Sequence, residues 1–468
     1  MKIAFCSSEV VPFVKTGGLA DVCGALPLFL EKLGHELFIF LPRYSGVENK
    51  GYVLRKINDD VSSTVIGKNS KVFFIENDQF FKREGLYGGP QGDYADNLER
   101  FQLYCRQTLE LFKNLQLKMD IVHCHDWQTA LLPTYLKFRF QNDPFYRRMR
   151  SVFTIHNMAY QGVFPKEKFS KLGLPQNLFD PQGLEFYGQI NLLKAGILYS
   201  DMATTVSPRY AQEIQTTEFG CGLDGVLRSR KEKVVGILNG LDYGIWDPQK
   251  DPWIDPPFSA QNGQGKLENK RRLQKEFKLP QREDVPLFSF VGRLSQQKGI
   301  ELIADAMKTL VEMDLQIAIL GTGEEKYHRR LQDFAQRYPQ KFGVHLTFND
   351  PLAHRVYAGS DLFLMPSVFE PCGLSQMISL RYGTIPIVYK TGGLADTITP
   401  FDQDGNGFIF TSYTPTAFLN TLKQAMDVYR DNVRFKKLMG KAFAANFSWE
   451  ESAKKYLQLY QYALSVKV

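Results

Sequence analysis

Lys15-Thr-Gly-Gly-Leu-Ala-Asp21 recurs letter for letter as Lys390-Thr-Gly-Gly-Leu-Ala-Asp396. A repeat of that length, far apart in the chain, points to two similar halves. In both copies a glycine turn leads into an apolar run with helical spacing. Such a turn lets backbone N–H groups approach phosphate oxygens, and the helix start adds a favourable dipole. Either copy alone reads equally well as a tight strand-to-helix turn. The duplication, with Lys at the head of each copy, favours a phosphorylated ligand gripped by two loops of one kind.

Outward from the first copy the pattern is β-α-β. Apolar Ile3 to Phe5 precedes the loop, a helix-like run covers Leu19 to Leu33, Gly34 is its stop, and Leu37 to Leu41 follows. That alternation implies a parallel sheet. Similar units recur at Asp120 to Leu136, Phe153 to Ile155 and Met202 to Val206, so residues 1–240 are expected to form one doubly wound domain. Between Leu241 and Gly265 the composition shifts to Asp, Pro and Gly, including Pro248, Pro252, Pro256 and Pro257. Neither a helix nor a central strand tolerates that run, which reads as an interdomain linker. Strands at Leu287 to Val291, Gln316 to Leu320, Leu362 to Met365 and Pro386 to Val388 then define a second α/β domain, residues 241–448. Ser448-Trp-Glu-Glu451 has capping-box spacing, and Trp449, Ala453, Tyr456, Leu457, Tyr460 and Leu464 share a helical face, giving a closing helix over 449–468. The expected fold is α/β, two doubly wound Rossmann-like domains with ligand in a cleft lined by the carboxyl ends of both sheets.

Composition narrows the class. The 468 residues are 44% hydrophobic and 23% charged, with no apolar run near the ~18 residues of a membrane span. Met1 leads straight into strand-like Lys2 to Cys6 without a signal-peptide pattern, so a cytoplasmic protein with no membrane partner is expected. Cys6, Cys23, Cys105, Cys124, Cys221 and Cys372 lack CxxC spacing and read as free thiols. The net charge of +7 is dispersed, with no basic stripe of the nucleic-acid-binding sort. An anionic small molecule fits that balance.

Several residues carry possible chemistry. Phe290-Val-Gly-Arg293-Leu-Ser-Gln-Gln-Lys298-Gly299 ends a strand with Arg293, a fork suited to a diphosphate, and Lys298, a point charge; both could instead be solvated. Glu370, between Phe369 and Pro371, could hydrogen-bond sugar hydroxyls or stabilise a developing cation, or be a turn residue. His156 follows a strand, where a core histidine and a catalytic one are equally supported. His123, His125 and Asp126 resemble a metal cluster without a third convergent ligand, so pocket lining is favoured over metal. Asp402-x-Asp404-x-Asn406-Gly407 begins like a calcium loop but has Tyr413 where Glu is required, and reads as a turn. Gly321-Thr-Gly323 is an incomplete dinucleotide signature. No metal site and no cofactor are expected.

Together the motifs resemble the bacterial-type glycogen synthases and related starch synthases over essentially the whole chain. The resemblance is carried by Lys15-Thr-Gly-Gly-Leu-Ala-Asp-Val22, Gly34-His35, Tyr94-Ala-Asp-Asn97, His125-Asp-Trp127, Thr154-Ile-His-Asn157, Asn191-Leu-Leu-Lys-Ala-Gly196, Val206-Ser-Pro208, Asn239-Gly-Leu-Asp242, Arg293 to Gly299, Phe369-Glu-Pro-Cys-Gly-Leu374 and the second Lys-Thr-Gly-Gly. It implies a GT-B fold and a retaining transfer of glucose from ADP-glucose to the non-reducing end of an α-1,4-glucan. By the same resemblance Arg293 and Lys298 hold the donor diphosphate, while Lys15, Gly18, Thr391, Gly392 and Gly393 close around phosphate and sugar. Asp126, His156, Asn239 and Glu370 surround the glucose, with Tyr94 and Asn157 beside it, Cys372 and Gly373 in the Glu370 motif, and Phe348 near the adenine. Val368, Ile378 and Tyr389 depart from the family pattern. A UDP-glucose transferase, a glucan phosphorylase and a non-catalytic glucan-binding protein are the competing readings.

Overall fold

A computed structural model describes residues 1–89 and 91–466. The chain divides into two compact units, Met1–Gly240 with the segment from Trp449 onward, and Leu241–Ser448.

The first unit is built on strands β1 (Lys2–Cys6), β2 (Glu36–Pro42), β3 (Arg55–Asn58), β4 (Val61–Ile66), β5 (Ser70–Ile75), β6 (Ile121–His125), β7 (Arg150–Ile155), β8 (Met202–Thr205) and β9 (Val234–Gly236). They form one nine-stranded sheet in the order β9-β8-β7-β6-β1-β2-β5-β4-β3. The central strands are apolar without alternation because both faces are covered; Ile3, Ala4, Phe5 and Cys6 are all fully buried. Helix α1 (Gly18–Lys32) follows the first glycine loop. Its end is a Schellman turn: Gly34 sits at φ 86°, its N–H reaches Glu31 O at 2.9 Å, and the His35 N–H reaches Leu30 O at 3.2 Å.

Two expectations for this unit need correction. The sheet is mixed, since β4 runs antiparallel to both β3 and β5. This hairpin, passed over in the sequence, turns at Gly67 in the left-handed region (φ 60°), and the Glu31 carboxylate accepts from the Lys68 and Asn69 N–H groups at 3.0 and 2.6 Å. The C-terminal helix, Trp449–Ser465, buries Trp449, Ser452, Ala453, Tyr456, Leu459, Tyr460 and Ala463. Leu464 is exposed and Leu457 only half-buried, because the 3.6-residue period carries the inner stripe through Leu459 and Ala463.

The second unit holds β10 (Leu287–Val291), β11 (Gln316–Leu320), β12 (Phe342–His345), β13 (Leu362–Met365), β14 (Ile385–Tyr389) and β15 (Phe408–Phe410). All five pairings are parallel, in the order β12-β11-β10-β13-β14-β15. That is a doubly wound sheet whose strand order reverses between β10 and β13, the usual place for a ligand. The Pro-rich stretch expected as a linker is instead part of this unit's packed body. Asp251 is buried and accepts from His354 Nδ1 at 2.7 Å and Tyr382 OH at 2.5 Å. Trp246 stacks on His354 at 3.9 Å between centroids, and Ile254 and Phe258 lie in the core. Side chains satisfy polar groups here where a regular backbone ladder would elsewhere, and composition does not report that.

Candidate active site

In the first unit the strand order reverses between β1 and β6, and the loops after those strands carry the polar cluster. Glu9, 3% exposed, has its carboxylate in the first glycine loop. It accepts from the Thr16 and Gly17 N–H groups, from Thr16 Oγ1 at 2.6 Å, and from Tyr87 OH at 2.6 Å. The loop amides expected to face phosphate are thus partly used by an internal carboxylate, and the Gly18 N–H, at the first residue of α1, is not among those Glu9 binds. Lys15 pairs with Asp21 of its own heptapeptide at 2.8 Å. A Cβ at Gly17 or Gly18 would meet nothing within 4 Å, so this loop presents an open face.

Asp126 follows β6 with φ 54°, a conformation that costs a non-glycine residue energy and often marks a functional position. Its Oδ1 accepts from the His156 N–H at 2.7 Å, fixing the start of the loop after β7. Desolvation pushes the Asp126 carboxyl up to about 7, against the lowering effect of the His156 N–H, with the Glu9 charge adding to the rise. Desolvation also pushes the half-buried His156 imidazole down to about 3. His156 Nε2 meets His125 Nδ1 at 3.0 Å. His123, expected as pocket lining, is a core residue: it is fully buried and bonds Tyr460 OH at 2.8 Å and Thr154 Oγ1 at 2.7 Å. Asn157 Oδ1 accepts from the Ala159 N–H at 3.0 Å. The guanidinium groups of Arg83 and Arg100 lie over the Tyr94 ring, 4.9 and 5.0 Å from its centroid. Asn239 is buried with its Oδ1 unpartnered.

In the second unit the loops after β10 and β13 meet. Lys298 Nζ lies 2.6 Å from Glu370 Oε2, which also accepts from Ser367 Oγ at 3.0 Å. Gly299 holds the approach: it sits at φ 71°, and a Cβ there would fall 1.8 Å from Pro366 O. Glu370 is therefore a buried, paired carboxylate rather than an open one, and Ser367 is a partner the sequence reading missed. Arg293 is exposed and makes no ion pair among the described residues. Phe348 is 78% exposed.

The second heptapeptide behaves unlike the first. Gly392 has φ 41° and a Cβ there would fall 2.0 Å from Glu370 O; one on Gly393 would fall 2.1 Å from Cys372 O. The Gly393 N–H donates to Glu370 O at 3.0 Å. These glycines let helix α3 (Gly392–Thr397) press against the Glu370 to Gly373 turn, with Thr391 and Cys372 buried beside it. Helix α2 (Ile300–Leu310) follows Gly299. Gly373 itself takes φ 74°. No cluster of three or more metal-ligating side chains occurs among the described residues, and no described helix is long and apolar enough to cross a membrane.

Residues 2–229 match the family model of the starch synthase catalytic domain, and residues 271–438 that of the glycosyl transferases group 1. The glycogen synthase of Geotalea uraniireducens is 47% identical over 484 aligned residues, covering 100% of both chains. The chain belongs to the glycogen and starch synthase family. The glycogen synthase of Thermotoga maritima is 44% identical, with 99% of each chain covered. The catalytic domain of starch synthase IV from Arabidopsis thaliana, solved with ADP and acarbose bound to it, superposes with a TM-score of 0.90 at 34% identity over 99% of both chains. The fold is GT-B, and this member of the family is a glycosyltransferase that elongates a glucan.

Proposed function

We propose that this glycosyltransferase moves glucose from ADP-glucose to the 4-hydroxyl at the non-reducing end of an α-1,4-glucan, with retention at the anomeric carbon. The observation that carries the reading is the Lys298–Glu370 pair beside exposed Arg293 at the strand-order reversal of a Rossmann-type sheet. Starch synthase IV, 34% identical, holds ADP in its solved structure, which supports an adenine nucleotide as the leaving group here. In the reaction the bond from the anomeric carbon to the β-phosphate oxygen breaks, ADP departs, and the acceptor oxygen bonds to that carbon from the same face. The acceptor's proton passes to the departing phosphate. Neither candidate carboxylate is assigned a covalent role: Glu370 Oε2 is engaged by Lys298 and Ser367 and Asp126 Oδ1 by the His156 N–H.

In this reading Arg293, Lys298, Thr391, Gly392 and Gly393 serve the diphosphate, with Lys15 and the Gly18 N–H. Asp126, His156, Asn157, Asn239, Tyr94 and Glu370 serve the sugar, Cys372 and Gly373 shape the Glu370 turn, and Phe348 lies by the base. Lys298 is already neutralised by Glu370, whereas Arg293 has no such partner among the described residues, so Arg293 answers more of the charge that builds on the leaving phosphate. Arg293→Ala is expected to lower kcat by roughly 10² to 10³, the scale for one preorganised donor. The deciding measurement is transfer of labelled glucose to glycogen from ADP-glucose and from UDP-glucose in parallel, without added metal. Incorporation mainly from ADP-glucose, lost in Arg293→Ala, is expected. Preference for UDP-glucose would overturn the donor assignment, and near-normal turnover in Arg293→Ala would overturn the role of that residue.

A further inference from the structure

Two imidazoles meet at 3.0 Å, His125 Nδ1 against His156 Nε2, and a single hydrogen lies between them. The far end of His125 decides which nitrogen owns it. His125 Nε2 is buried and has no hydrogen-bond partner among the described residues. A buried N–H left unpaired is rarer in proteins than a buried acceptor left unpaired. The bare position therefore carries the lone pair, and neutral His125 carries its hydrogen on Nδ1. Nδ1 donates to His156 Nε2, so neutral His156 must hold its own hydrogen on Nδ1. We infer that His125 is a positioning residue that fixes His156 as the Nδ1–H tautomer, so that His156 meets its ligand as a hydrogen-bond donor.

The surroundings hold this arrangement from every side. The His125 ring stacks on Phe5 with centroids 5.6 Å apart and planes 21° apart, and lies 4.1 Å from the His123 ring. His123 is pinned at both nitrogens, by Tyr460 of the C-terminal helix and by Thr154, and Thr154 Oγ1 is tied to Thr204 Oγ1 at 2.6 Å. The His156 backbone is anchored by Asp126. His123 and His156 act electrostatically on His125, the Asp126 carboxylate sits on the His156 backbone N–H, and desolvation is the leading cause that holds all three histidines neutral. A second proton on His156 would force the shared hydrogen to change owner and leave His125 Nε2 as a buried N–H with no acceptor. The pair therefore resists protonation as a unit, and the ring of His156 keeps one hydrogen-bonding sense across the working pH range.

The assignment of the tautomer stands on the hydrogen-bond geometry of two rings that burial keeps neutral; its catalytic consequence rests on the role of His156 proposed above. The test is long-range proton–nitrogen correlation spectroscopy on the full chain, its seven histidines labelled with nitrogen-15 in the imidazole, with His156→Gln identifying the signal. Wild-type His156 is expected to show a protonated Nδ1 and a bare Nε2 from pH 7.5 to pH 5.5. His125→Phe keeps an aromatic ring against Phe5 but removes the donor. His156 should then shift towards the Nε2–H form and take up a second proton at higher pH, and kcat should fall about tenfold, the lower end for partners that orient a functional histidine. His125→Asn, whose amide N–H can stand in for Nδ1–H, should restore the tautomer and most of kcat. A wild-type spectrum with Nε2 protonated overturns the inference without any variant having to fold. So does a His125→Phe spectrum and pH profile identical to wild type. Full activity in His156→Gln would instead remove His156 from the transfer reaction, an outcome separate from the tautomer read in the spectrum.

Discussion

Asp126 and His156 are displaced in opposite directions by the same cause, loss of solvent around the charged form. The Asp126 carboxyl rises to about 7 and the His156 imidazole falls to about 3, from ordinary values near 4 and 6.5. Between pH 4 and 7 the folded chain keeps a proton on Asp126 that the unfolded chain releases, so this group's contribution to stability declines as pH rises. Between pH 3 and 6.5 the folded chain refuses a proton at His156 that the unfolded chain accepts, so this contribution increases with pH. Over their shared window the two slopes cancel in the wild type. Removing one partner exposes the other: the stability of wild type minus that of His156→Gln should grow by about 2 kcal/mol from pH 4.5 to pH 6, and the difference for Asp126→Asn should shrink by a similar amount. Urea unfolding of each variant at those two pH values measures it, and slopes of the same sign for both would refute the account. At this scale the sequence was only partly legible. Arg293, Lys298, Glu370 and His156 announce themselves by following apolar strands. Glu9 does not, because its partners Thr16 and Tyr87 lie 7 and 78 residues away. His125 drew notice in a polar cluster read as pocket lining in preference to a metal site, whereas its hydrogen-bond partner is the ring of His156.

The two heptapeptides show how little an element's letters say about its surroundings. In the first copy a Cβ on Gly17 or Gly18 would stand in open space, while in the second the glycines touch the Glu370 and Cys372 carbonyls. The second needs glycine for the protein's own packing; nothing among the described residues demands it in the first, whose open face is where the proposed donor would approach. Gly18→Ala is accordingly expected to change the melting temperature little and to show its effect in donor KM. Gly393→Ala should cost about 2 to 3 kcal/mol, the scale of forcing a methyl into a filled core, and read out as a lowered melting temperature with or without substrate. Equal destabilisation by the two substitutions would contradict this division. The strands adjoining both copies were readable because a parallel strand covered on both faces is a plain apolar run. The β3 to β5 hairpin was not, since Ser62, Ser63 and Thr64 interrupt its apolar pattern. The Pro-rich stretch after Gly240 was misjudged because its order comes from Asp251, His354 and Tyr382, contacts spanning 103 and 131 residues.

At the scale of the whole chain, the last helix belongs to the first unit although the second unit's entire sequence intervenes. The return is tight. A Cβ on Gly240 would fall 2.5 Å from the Trp449 Cα, and Ser452 Oγ donates to Leu238 O at 2.6 Å. Within the second unit Leu241 pairs with Ser448 as an isolated bridge. The helix buries Trp449, Tyr456, Leu459 and Tyr460, worth roughly 2 kcal/mol each in area removed from water, and Tyr460 supplies the hydrogen bond that holds His123. A single domain's net stability is about 5 to 15 kcal/mol, so the first unit should not survive without it. Residues 1–240 made alone should bind a hydrophobic dye and melt without a cooperative transition. Residues 1–240 joined through a few Gly and Ser residues to 449–468 should melt cooperatively, because residues 240 and 449 are already neighbours, and residues 241–448 should do so without help. Cooperative melting of residues 1–240 alone would show that the helix covers a surface the unit can afford to expose, and that Tyr460 is not needed to hold the histidine stack behind His156.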